Sequence, residues 1–165
     1  MTAALADSLA RSVRGDAWHG PSFLEALARL DAAGAAARPI PGAHSAWEIA
    51  LHVAGWMHEV ASRLQGGKPA LPEPGDWPPV PMSQNEASWQ QVRAQVEAAL
   101  DAVLAALTVF PPERLDAPVG EAAHHDAPLG TGLSYAEMLR GLAQHNAYHA
   151  GQLVLLHRAL QAHEL

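Results

Sequence analysis

The chain has 165 residues, enough for one domain with a substantial core, and a formal net charge of −7 with no Lys/Arg-rich run. That charge balance excludes a surface built to hold a nucleic acid backbone, which needs clustered cations. There is no Cys, which excludes disulfides, thiolate metal ligands and a cysteine nucleophile, so a thiol involved in any reaction must arrive as a substrate.

In chain order, Leu5, Leu9 and Val13 predict a first helix. Asp7, Arg11 and Arg14 interrupt its apolar pattern, so it is no secretory signal, and no apolar run in the chain is long enough to span a bilayer. The expectation is a soluble cytoplasmic protein. Residues 15–21 break the helix, and Phe23, Leu27 and Leu30 resume it. Four starts carry a Ser followed three residues later by Glu, the pattern of a capping box: Ser22 to Glu25, Ser45 to Glu48, Ser83 to Glu86 and Ser134 to Glu137. The second of these opens a helix to about Gln65, where Gly66 and Gly67 stop it. The third opens a helix to about Leu107 with Trp89, Val92, Val96, Leu100, Val103 and Leu107 on one stripe, a plain packing helix. The last runs close to the C-terminus. The Pro/Gly-rich stretches 66–82 and 111–131 read as ordered loops over the ends, not as linkers, because no neighbouring helix could bury its apolar face alone. The result is an all-α, single domain over residues 1–165, an up-and-down four-helix bundle.

The last helix carries the most informative residues. His145 and His149 are four apart, and Met138, Leu142, His145, His149, Gln152, Leu156 and Leu160 recur at steps of four and three. Both histidines stand where core leucines are expected. Buried imidazoles either hydrogen-bond across the core or bind a metal. On the second long helix His52 shares a face with Ile49, Trp56 and Val60, and it too is either a core histidine bonded to a carbonyl or a third ligand. Three neutral imidazoles would hold Zn, Ni, Co or Fe and leave one side open for water or substrate.

Other residues are weighed against that centre. Gln152 either orients His149 or packs between helices. Glu48 reads as the capping acid and Glu59 as a boundary residue before either is a base. His19 and His44 stand in loops that could line the substrate mouth, whereas His58 and His157 fall off the inward faces. His124, His125 and Asp126 read as a polar loop. Trp56 and Tyr148 read as core or interface aromatics first and pocket walls second, and Gly151 as a site of close helix approach. Asn146 stands where a zincin places Glu, so the His145 to His149 helix is not that of a metalloprotease.

The stretch Trp47-Glu48-Ile49-Ala50-Leu51-His52-Val53-Ala54-Gly55-Trp56, taken with His145-x-x-x-His149-x-Gly151-Gln152, resembles the DinB/YfiT-like family. Trp18-His19-Gly20-Pro21-Ser22 is similar to the first-helix region of one branch, so the resemblance covers nearly the whole chain. It implies a four-helix bundle, frequent homodimers, and a divalent metal held by histidines that map onto His52, His145 and His149. Family members of known activity include transferases and isomerases that use low-molecular-weight thiols such as mycothiol, bacillithiol or glutathione, and many others have no known reaction. Two readings follow. One is a metal-dependent enzyme of the thiol-dependent transferase type, or a related hydrolase or isomerase, acting on a small molecule with zinc or nickel first and iron, cobalt or manganese as alternatives. The other is a non-catalytic, metal-stabilised bundle serving as a stress-response binding scaffold. No direct nucleic acid or membrane contact is expected of either.

Overall fold

A computed structural model describes residues 1–73, 75–120 and 129–163. Four long helices make the bundle: α1 (Thr2–Arg14), α4 (Ala46–Leu64), α5 (Glu86–Val109) and α6 (Tyr135–His163). Two short ones, α2 (Phe23–Leu27) and α3 (Ala32–Ala36), fold across the first connection, and a 3-10 turn at Pro112–Arg114 follows α5. No strand occurs among the described residues; one antiparallel bridge pairs Pro118 with Ser134.

α4 packs on α5 and α6, and α1 packs on the same two, so the order around the bundle is α1, α5, α4, α6. The core is continuous through all four, with Leu9, Phe23, Leu27, Trp47, Met57, Trp89, Leu100, Leu139 and Leu153 fully buried. Trp47 and Trp89 pack at 5.1 Å between ring centroids, and the Trp89 indole N–H donates to the Leu30 carbonyl at 2.8 Å, tying α5 to the first connection.

Three of the four capping boxes form. In each, the Ser hydroxyl accepts from the Glu backbone N–H while the carboxylate accepts from the Ser N–H, at Ser22/Glu25, Ser45/Glu48 and Ser134/Glu137. The Ser83/Glu86 box does not. Asn85 caps α5 instead, accepting from the Ser88 N–H at 3.0 Å, and Glu86 turns away to accept from Ala32 N–H at the start of α3. With one Glu86 oxygen on Ala32 N–H and the other on the Gln90 amide, Asn85 serves as the cap and α5 begins at Glu86.

The loop after α4 is fixed by a buried ion pair. The Arg63 guanidinium donates to Glu59 at 2.8 Å and to the carbonyls of Leu129 and Ala70, and Glu59 accepts from the Ala70 N–H at 2.8 Å. One charged pair thereby fastens the first long loop near its start and the second near its end to the C-terminal half of α4.

Candidate metal centre

α6 buries a line centred on Leu139, Asn146 and Leu153, each fully buried, with His145 and His149 along its flank. The predicted stripe is thus rotated slightly off the middle of the buried face, which leaves His145 half-buried rather than sealed in the core. From the facing helix α4, His52 projects into the same space. Donor nitrogens of His52, His145 and His149 all lie within 4.8 Å of one another, and the Nε2 atoms of His52 and His145 are 3.0 Å apart. The His145 and His149 rings meet edge to face at 4.5 Å, as i and i+4 positions on one helix require.

The back nitrogens of two of these rings are anchored. His52 Nδ1 donates to the Asp76 carbonyl at 2.7 Å, and His149 Nδ1 donates to Gln152 Oε1 at 2.7 Å. Each bond fixes the tautomer and turns the Nε2 lone pair toward the shared space. Burial holds all three imidazoles uncharged at neutral pH. It pushes His145 down to about 3, aided by the neighbouring imidazoles, and His149 down to about 4 against the opposing bond from Gln152. It also lowers His52, opposed by the Asp76 carbonyl and carboxylate.

These residues fit a metal ion. With His52 Nδ1 protonated by its bond to a carbonyl, two neutral rings 3.0 Å apart leave His145 with an unmatched Nδ1 in either tautomer, and that atom is buried without a hydrogen-bond partner. A cation would draw on the lone pairs that the three rings turn toward one another, while the His145 Nδ1 keeps its lack of a partner. Nitrogen ligands of a tetrahedral zinc, at about 2.0–2.1 Å, sit roughly 3.3 Å apart, within reach of small side-chain rotations here. The donor set supplies three nitrogens and leaves a coordination side free.

The loop between α4 and α5 supplies a wall that the sequence pattern does not reveal. Trp77 is sandwiched between the His52 ring at 4.1 Å and the His44 ring at 3.5 Å, nearly parallel to both. Asp76 holds it there: besides the carbonyl bond to His52, its carboxylate accepts from the Trp56 indole N–H at 2.7 Å. Pro-rich composition hid both residues, and a Trp in a loop rich in Pro and Gly was the available signal.

The other predicted residues divide clearly. His44 is drawn to the site as the support behind Trp77, while His19 is exposed and lines surface hollows beside α1 and α6 away from the three histidines. Glu48 is the capping acid and pairs with Arg38 at 2.5 Å; Glu59 is spent on Arg63. Trp56 takes part through Asp76, and Gln152 through His149. Tyr148 is 65 % exposed rather than a core residue, its ring edge-on to His149 at 5.1 Å. Gly151 is exposed and a Cβ there would meet nothing within 4 Å, so close helix approach does not explain it. His58 is exposed and His157 partly so. His124, His125 and Asp126 lie outside the described residues.

A helical bundle with an inward three-histidine cluster defines a class, the helical proteins that could hold a single metal ion between facing helices. Within that class the assignment is specific: the sequence profile of the DinB superfamily matches residues 17–153, and the chain belongs to that superfamily. In architecture it is similar to a conserved protein from Enterococcus faecalis whose crystal structure is known, with a TM-score of 0.68 over 98 % of each chain at 20 % identity. That likeness shows the fold. No curated protein matches significantly. Among the described residues no helix is long and apolar enough to cross a membrane.

Proposed function

We propose that this protein is a divalent-metal-dependent enzyme of the thiol-dependent transferase type, with His52, His145 and His149 as the metal ligands and a low-molecular-weight thiol as co-substrate. Zinc and nickel suit the three neutral nitrogens best, with iron, cobalt and manganese following. The observation that carries the reading is the convergence of three uncharged imidazoles from two facing helices, with the back nitrogens of His52 and His149 anchored by Asp76 and Gln152. When bound, the cation would acidify a thiol or water at its free side and polarise an acceptor beside it.

The chain's own residues set the conditions. Gln152 and Asp76 hold the imidazoles in the orientation that directs their lone pairs inward. Trp77 covers the His52 ring and, with Trp56 bonded to Asp76, keeps water from that side. Glu48 and Glu59, engaged in capping and in the Arg63 pair, are withdrawn from any role as base. The test is conjugation activity of the zinc- and nickel-loaded protein over a panel of thiols (glutathione, mycothiol, bacillithiol) and small electrophiles. Thiol-dependent product formation that is lost in His145→Ala supports the reading. Absence of turnover across every pair with metal bound contradicts it and favours a non-catalytic scaffold.

We further propose a cytoplasmic homodimer. The support for the dimer is the outer face of α6, where Tyr148 and Leu155 are exposed on either side of Gly151. Light scattering on the wild type and on Leu155→Glu decides it: a dimer that the substitution dissociates is expected, and a monomeric wild type refutes it.

A further inference from the structure

A cavity of about 260 Å³ lies in the seam between α4 and α6, and His145 forms part of its wall. Trp56 and Val60 from α4, Met138 and Leu142 from α6, and Leu133 from the turn before α6 make the rest of it predominantly apolar. Arg63 and Glu137 also border it. We propose that this cavity receives an uncharged, compact apolar group, a single aromatic ring or a branched aliphatic of that size, carried by the molecule that reacts at the three-histidine centre.

Size and charge select this ligand class. A dry cavity of about 150 Å³ accommodates benzene, so 260 Å³ is room for one ring with a few substituent atoms. A carboxylate is disfavoured, because the one cation on the wall, Arg63, is already bonded to Glu59 and to two carbonyls, and Glu137 adds negative charge. An ammonium group is disfavoured by the apolar walls, since the Glu137 carboxylate is already taken by the Ser134 N–H and hydroxyl. The shared residue gives direction: a group seated between Trp56 and Met138 reaches His145, whose Nε2 faces His52 in the cluster. Gly141 keeps the space open. It stands mid-helix in α6 on the cavity wall, where a Cβ would meet nothing within 4 Å, so a larger side chain fits the backbone and would occupy the cavity.

The connection to chemistry rests on the metal-dependent reading given above, whereas the ligand class can be tested apart from it. The experiment is a fluorine NMR titration of the full chain, with and without zinc, using 4-fluorotoluene, 4-fluorobenzoate and 4-fluorobenzylamine. Saturable binding of 4-fluorotoluene is expected, tighter than either charged analogue by about tenfold or more, with a shift of the Met138 methyl resonance. Gly141→Leu, which helix propensity favours, and Leu133→Glu, at a position 40 % exposed, should each weaken that binding by about tenfold. No saturable binding, equal or tighter binding of 4-fluorobenzoate, or a dissociation constant unmoved in both variants overturns the proposal. If 4-fluorotoluene binds as expected in a protein that takes up no zinc, the metal reading fails and the ligand class stands; zinc uptake without ring binding refutes the ligand class alone.

Discussion

Replacing Gln152 by Leu removes the acceptor for His149 Nδ1 while keeping the side chain's size. The bond is 2.7 Å long and His149 is 4 % exposed, so water cannot substitute for the lost oxygen. A buried donor left without its acceptor costs about 1–3 kcal/mol. The imidazole can escape that cost in the metal-free protein by moving its proton to Nε2, but Nε2 is then no longer a ligand, and binding a metal restores the unsatisfied donor. The cost therefore falls on the metal-bound state, where about 1.4–2.7 kcal/mol corresponds to a 10–100-fold loss of affinity, the usual range for removing a partner behind a metal ligand. Competition titration of zinc against a chromophoric chelator measures it. Gln152→Glu, which keeps an acceptor and adds charge, should retain or strengthen binding. Unchanged zinc affinity in Gln152→Leu would refute the claim that His149 binds through Nε2 with its other nitrogen held by Gln152.

Burial of uncharged His145 and His149 makes the metal-free protein sensitive to acid. Their folded values, about 3 and about 4, lie below the ordinary 6.5, so the unfolded chain takes up protons first, and stability falls as pH drops from about 6.5 toward 4. Each group contributes at most about 1.4 kcal/mol per pH unit in that window; urea midpoints at pH 7.5, 6 and 5 should decline, less steeply in His145→Gln, and a flat profile would contradict the buried-neutral assignment. Arg63→Met leaves the Glu59 carboxylate buried without its partner and should cost about 3–5 kcal/mol in chemical denaturation; a loss under 1 kcal/mol would mean the pair does not fasten the loops. Trp77→Ala should leave zinc affinity within about threefold, since Trp77 donates no ligand atom, but should change small-molecule selectivity by opening the His52 face. A large loss of metal would instead assign Trp77 to holding the histidines in place. His19→Ala should alter neither property, because that residue is exposed and remote from the cluster.

The parts of this molecule that depend on local rules are readable from its sequence. Helical periodicity put His145 and His149 on one side of α6 and His52 on the matching side of α4, and three Ser/Glu pairs marked true helix starts. The failures share a physical origin in contacts between distant segments. Ser83 and Glu86 have the spacing of a cap, but Glu86 is taken by Ala32, 54 residues away. His19 and His44 look alike as loop histidines, and only the fold brings Trp77 against one of them. Asp76 and Trp77 sit in a Pro/Gly-rich loop without periodicity, so nothing local signalled that their carbonyl and indole would back and cover His52. The offset of His145 from the centre of the buried face is set by how α6 packs on α1 and α4, which no repeat within α6 encodes.

The central claim is that three imidazoles on α4 and α6 hold one divalent ion. Metal analysis of protein purified without a His-tag, alongside His52→Ala, His145→Ala and His149→Ala, tests it most directly. The account predicts close to one equivalent of a divalent metal in the parent protein and a loss of at least about 100-fold in affinity in each variant, as removal of one of three nitrogen ligands demands. A parent protein that neither carries nor takes up metal, or a His149→Ala variant that binds it undiminished, would contradict the account.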